Sequence, residues 1–176
     1  SRRVTDRCAP CVRPYCRARA DCDAPGVMVH DDMVWGNGKC LHADFYRKHI
    51  FPNYRLYLDP LREAGKIIMF TSDGNFTEFI DDIAACGISG FVMEPMTDMA
   101  YIAARYGKTH SFIGNADTNI LLSGTHADIR REVQRCMSIG KPCPGFFMAV
   151  GNHIPSNTPV ENALYYQACV RELGRR

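Results

Sequence analysis

The chain has 176 residues, with 46% hydrophobic and 23% charged residues, a balance suited to one packed globular domain. No run approaches the roughly 18 apolar residues of a membrane-spanning helix, and the opening SRRVTDRC has no apolar signal-peptide core. A net charge of +2 gives no strong pull toward nucleic acid or an acidic membrane surface.

The first 26 residues differ from the rest. They hold Arg2, Arg3, Arg7, Arg13, Arg17 and Arg19 against Asp6, Asp21 and Asp23, a net of +3 that leaves −1 for the remainder. They show no helical or strand period, so residues 1–25 read as an irregular Cys/Arg-rich leader. Its cysteines run Cys8-x2-Cys11-x4-Cys16-x5-Cys22. Thiolates at short spacing can share zinc or an iron–sulfur cluster, but this spacing matches no common zinc ribbon. A foreign or disordered leader is the simpler expectation. The other five cysteines (Cys40, Cys86, Cys136, Cys143, Cys169) have no paired spacing. Scattered thiols suit a reducing, cytoplasmic setting, and an odd total argues against a complete disulfide framework.

From Gly26 a strand–helix rhythm begins. Short apolar runs at 26–32 (GVMVHDD), 66–71 (KIIMFT), 88–93 (ISGFVM), 110–114 (HSFIG) and 145–150 (GFFMAV) suit buried parallel strands. Helical patterns lie between them. The stretch 44–64 is apolar at Phe45, Ile50, Tyr54, Leu58 and Leu61, with Pro52 and Pro60 expected to bend or split it and Gly65 to close it. Further helices are expected over 76–86 and 98–106. Thr125-x-x-Asp128 resembles a capping box for a helix to Ile139, and Thr158-Pro159-Val160-Glu161 reads as an N-cap opening the last helix, which runs to about Leu173. Five strand–helix pairs indicate an α/β fold, without separating a barrel from an open sheet. No glycine-rich phosphate loop follows any strand.

In either architecture chemistry gathers at the C-terminal ends of the strands. Those ends carry His30, Asp31 and Asp32; Ser72, Asp73, Gly74 and Asn75; Glu94; Asn115, Asp117 and Asn119; and Asn152 and His153. Polar side chains at five equivalent places are expected to rim a common cleft. Each also has a structural use: Asp31 or Asp32 can bind loop amides, Asp73-Gly74 can form a turn, and Asn115 or Asp117 can cap a helix. Glu94, followed by Pro95, has the least obvious local use.

At these strand ends the chain resembles the uroporphyrinogen decarboxylase family. The resemblance covers about Gly26 to Leu173 and is carried by VHDDMVWGNGKCLHADFYRKHIFPNY, IIMFTSDGNF, FIGNADTNILLSGTHADIRREV and AVGNHIPSNTPVENA. It implies a (β/α)8 TIM barrel with its site at the top, of which five C-terminal units are present. A whole barrel takes about 250 residues or more, so the resemblance implies a fragment whose partner is the missing N-terminal half or a second copy in a homodimer. It also implies a cytoplasmic lyase of porphyrin metabolism acting on a small-molecule substrate, with neither nucleic acid nor membrane as partner.

The family contains decarboxylases and zinc methyltransferases that use methylcobamides. Aligned through Pro159 and Glu161, the decarboxylases' catalytic histidine falls on Asn152, with His153 one residue later. The methyltransferases' His-x-Cys turn and later Cys fall on Thr71-x-Asp73 and Asn152, so no thiolate remains to hold zinc. No cofactor is therefore expected, with zinc or a corrinoid as the alternative. The rim is acidic, with Asp31, Asp32, Asp73, Glu94, Asp98 and Asp117 against Lys39 and the histidines, where a polycarboxylate would want arginine forks. An altered site is expected, with a cobamide-dependent methyltransferase-like protein or a catalytically incomplete binding fragment as the alternative readings. Asp73, Glu94 and His153 are its catalytic candidates, Asp31, Asp32, Asn115, Asp117 and Asn152 its substrate-binding ones, and none is expected to bind a metal.

Overall fold

A computed structural model describes residues 2–35 and 38–175; the side chains of residues 2–6, 8, 9, 35 and 39 lie outside that description. Helix α1 spans Arg2–Ala20, followed by β1 (Gly26–His30) and a small hairpin of β2 (Val34–Trp35) and β3 (Gly38–Lys39). Helix α2 (Ala43–Phe45), a π-helical turn (Tyr46–Ile50) and α3 (Phe51–Glu63) lead into β4 (Ile67–Ser72). Then come a 3-10 turn (Thr77–Phe79), α4 (Ile80–Ala84), β5 (Gly90–Met93), α5 (Met99–Tyr106), β6 (Ser111–Ala116), α6 (Thr118–Ser123), α7 (His126–Gly140), β7 (Phe146–Val150) and α8 (Val160–Leu173). The five long strands form one parallel sheet in the order β1-β4-β5-β6-β7, the strand–helix alternation of a partial (β/α) barrel. All five fall where the apolar runs place them. No described helix is long and apolar enough to cross a membrane.

The chain divides into two compact units, Ser1–Gly90 and Phe91–Arg176. In the first, β1 pairs with β4 in the register His30↔Thr71. Along β4 the buried positions alternate, Ile68, Phe70 and Ser72 pointing inward. Phe70 meets Tyr54 and Phe76, and Phe79 meets Tyr46 and Phe51, in aromatic contacts of 5.0–6.2 Å between ring centres. Leu58, Leu61, Ile80 and Ile83 complete this core, each wholly buried. The expected helix over 44–64 is thus broken once, at the π turn, while Pro52 sits in the first turn of α3, where its missing N–H costs nothing. Gly65, at φ 68°, closes α3 as expected.

The expectation of an irregular leader is corrected. Arg2–Ala20 is helical even with Pro10 and Pro14 inside it, and it packs on α3. Cys16 is its buried anchor among the described side chains. A helix whose inward contact is a cysteine rather than a leucine stripe leaves little apolar period to read.

In the second unit, α7 buries Ile129, Val133, Cys136 and Met137 on one stripe, the spacing of an amphipathic helix. Its N-terminus has the capping box: Asp128 N–H donates to Thr125 Oγ1 at 3.2 Å, and Thr125 N–H donates to Asp128 Oδ2 at 2.8 Å. The N-cap expected at Thr158 is corrected. Pro159 holds that position, α8 starts at Val160, and no side chain caps it. Instead Asn162, buried in the first turn, donates to the carbonyls of Leu121 at 2.9 Å and Gly124 at 3.3 Å, tying α8 to the end of α6.

Candidate active site

In the first unit the register of β1 and β4 brings the residues after His30 beside Ser72 and Asp73. Asp31 N–H donates to the Thr71 carbonyl at 3.1 Å, and the Tyr54 hydroxyl donates to the Asp31 carboxylate. Burial, reinforced by Asp31, pushes the Tyr54 pKa far upward, so this hydroxyl stays a donor. Asp32 Oδ1 accepts from the Asp73 N–H at 3.2 Å and lies 2.8 Å from His30 Nε2. The Asp73 amide, with His30 adding to it, holds the Asp32 carboxyl below its ordinary range. Buried Ser72 accepts from Met33 N–H at 3.2 Å and donates to the Asp73 carbonyl at 3.1 Å, fixing the turn from beneath. Asn75 accepts from Thr77 N–H at 3.0 Å as part of the same turn.

Among the described residues, one group of three or more potential metal ligands stands together: His30, Asp32 and Asp73, whose donor atoms lie within 4.8 Å of one another. The leader thiols make no such group among the described residues. Cys11 donates to the Arg7 carbonyl, Cys22 to the Arg19 carbonyl, and Cys16 is buried. Cys8 and Lys39, both singled out in the sequence, have side chains outside the described residues.

In the second unit Glu94 follows β5 and Asn152 follows β7. Asn152 Nδ2 donates to Glu94 Oε1 at 2.5 Å. The Asn152 Oδ1 accepts from His153 N–H at 2.7 Å and lies 2.9 Å from His153 Nδ1. The close approach depends on Gly151: a Cβ there would stand 2.5 Å from Pro95 Cδ and 3.0 Å from Glu94 Cα, too near for any side chain. Glu94 is half-buried, while Asn152 and His153 are exposed. A carboxylate, an amide and an imidazole are thereby joined at the ends of two strands.

Asn115 and Asp117, at the end of β6, are engaged differently. Asn115 is 1% exposed. Its Nδ2 donates to the carbonyls of Glu94 at 3.3 Å and Thr97 at 3.1 Å. Its Oδ1 accepts from Arg135 Nη2 at 3.0 Å. Arg135 is held in turn by Glu132, at 2.9 and 2.7 Å, and Glu132 Oε1 accepts from Asp117 N–H at 3.0 Å. The Asp117 carboxylate caps α6, accepting from Asn119 N–H at 2.8 Å, and Asp98 caps α5, accepting from Tyr101 N–H at 2.9 Å. Sequence reading missed Tyr54, Glu132 and Arg135, and it placed Ser72 at the strand end without its burial beneath the turn. The one available signal was a Glu and an Arg three apart beside the apolar stripe of α7, a position where charge needs a buried partner.

The uroporphyrinogen decarboxylase (URO-D) family model matches residues 1–173, so the similarity expected only from Gly26 reaches the start of the chain and includes α1. The chain is 28% identical over 172 residues to a uroporphyrinogen decarboxylase of Thermus thermophilus, covering 98% of this chain and 48% of that protein. It is 25% identical over 161 residues to one of Pelobacter propionicus, covering 92% and 46%. It is 26% identical over 176 residues to one of Sodalis glossinidius, covering 98% and 48%. The chain thus spans about half the length of the curated relatives it matches.

Proposed function

Since the chain belongs to the uroporphyrinogen decarboxylase family, we propose that it carries strand-end residues of a decarboxylating lyase acting on a small-molecule carboxylate in the cytoplasm. Loss of CO2 breaks a carbon–carbon bond, leaves the electron pair on carbon and requires a proton delivered there; a positioned acid lowers that barrier. The observation that carries the reading is the Glu94–Asn152–His153 connection, in which one amide orients a carboxylate and an imidazole together. Glu94 and His153 are assigned proton handling, with Asn152 orienting them in place of the family's histidine. Asp73 is assigned acid/base or substrate-binding work, with Asp31 and Asp32 beside it as binding groups. Asn115 and Asp117 serve the substrate indirectly, by shaping the end of β6.

The experiment is CO2 release from uroporphyrinogen, the acid in the relatives' names, by the intact enzyme and its Asp73→Asn variant. The reading expects release by the wild type and a loss of about 100-fold in the variant, the scale of a displaced acid/base group. No release by the wild type, or equal release by both, rules it out.

A further inference from the structure

The ends of β1 and β4 hold a donor set that the lyase reading leaves unused as a set. His30 Nε2 and one carboxylate oxygen each from Asp32 and Asp73 lie within 4.8 Å of one another. We propose that these three side chains bind one divalent transition-metal ion, with water completing its coordination.

Geometry supports it first. An ion about 2.0–2.2 Å from each nitrogen or oxygen donor holds those donors roughly 3–4 Å apart, so small side-chain adjustments assemble the shell. The ligands come from the ends of two paired strands in the register His30↔Thr71, all within one compact unit, so the backbone fixes the spacing before an ion arrives. The Asp73 N–H on Asp32 then acts as an outer-shell bond that orients a ligand.

Chemistry selects the ion. Two carboxylates balance a double positive charge, and an imidazole favours manganese, iron, cobalt or zinc over magnesium and calcium. The site is open to solvent, the His30 and Asp32 side chains being 58% and 43% exposed. Cys40, just after the β2–β3 hairpin, binds Met33 O through its N–H at 3.1 Å and points its exposed thiol at the Asp32 backbone carbonyl, 3.7 Å away, beside the three ligands and not among them.

The site shares Asp32 and Asp73 with the lyase reading, and the two are tested separately because this test reads metal and the other reads turnover. Cobalt(II) is titrated into metal-free protein under reducing conditions, with calorimetry for stoichiometry and visible absorption for ligand type. One ion per chain is expected. His30→Gln and Asp73→Asn should each raise Kd at least about tenfold, with melting temperatures checked to show that both variants fold. A Cys11→Ser/Cys22→Ser variant should bind like the wild type. Absence of uptake, undiminished uptake by both ligand variants, or uptake that disappears with the leader cysteines would overturn the proposal.

Discussion

Asn152 is the shared partner of Glu94 and His153: its Nδ2 donates to one at 2.5 Å and its Oδ1 binds the other at 2.9 Å. Removing the amide leaves the carboxylate and the imidazole without a common guide. Hydrogen bonds to charged groups contribute about 1.5–3 kcal/mol, which corresponds to about 10–100-fold in rate. Asn152→Ala should lower kcat/KM for CO2 release by that factor. Because the side chain is exposed, the melting temperature should scarcely change. Steady-state kinetics paired with a thermal melt checks both halves.

Arg135 and Glu132 form the most consequential ion pair of the second unit. The Glu132 side chain is 8% exposed and that of Arg135 is 40% exposed. Arg135→Met would leave a carboxylate uncompensated in the interior and strip a donor from Asn115. Breaking a fully buried pair costs about 3–5 kcal/mol. Partial solvent access at Arg135 reduces this to about 2–3 kcal/mol. Urea unfolding of wild type and variant measures it.

The same pair sets an acid limit. Burial alone would raise the Glu132 pKa, but the bonds from Arg135 and from the Asp117 N–H outweigh it and hold the carboxyl below its ordinary 4.5. A depressed folded pKa contributes stability above the unfolded value, and that contribution disappears as pH falls through the folded one. Asp32 behaves alike below its ordinary 3.8, with the Asp73 amide as the main cause. Urea midpoints should therefore hold from pH 7 to about 5 and decline below about 4.5. In Arg135→Met the decline should be shallower.

Thr125→Ala removes the reciprocal cap of α7 and should cost about 1 kcal/mol, while Thr125→Ser should retain most of it. Chemical denaturation of the two variants distinguishes capping from lost methyl packing.

Thiol reactivity should follow burial. Cys11, Cys22 and Cys40 are exposed, whereas Cys16, Cys86, Cys136, Cys143 and Cys169 are buried. Burial pushes the Cys16, Cys86 and Cys136 thiols up, lowering their reactive thiolate further. Native alkylation followed by mass spectrometry should label the first three quickly. Labelling of Cys136 as fast as Cys11 would contradict the core described for α7.

The strands were legible because each is a short apolar run closed by turn residues, a pattern that survives without knowledge of its neighbours. The capping box at Thr125 was legible for the same reason, being wholly local. Helix α1 was not, since its hold on α3 runs through Cys16 and leaves no apolar period to read. Thr158 failed as a cap because Pro159 takes the last non-helical position before Val160. At the candidate site, the strand-end acids were visible as residue types, but their partners were not. Asn115 reads as a polar rim residue until Arg135, twenty positions later, is seen to hold it. Tyr54 lies 23 positions beyond Asp31, and only the fold brings its hydroxyl there.

The most direct measurement is single-turnover CO2 release from uroporphyrinogen by the intact enzyme carrying Glu94→Gln, a substitution that keeps the shape but removes the charge and the proton. The account predicts a rate at least about 100-fold below wild type with an unchanged melting temperature. A wild-type rate in that variant would contradict it.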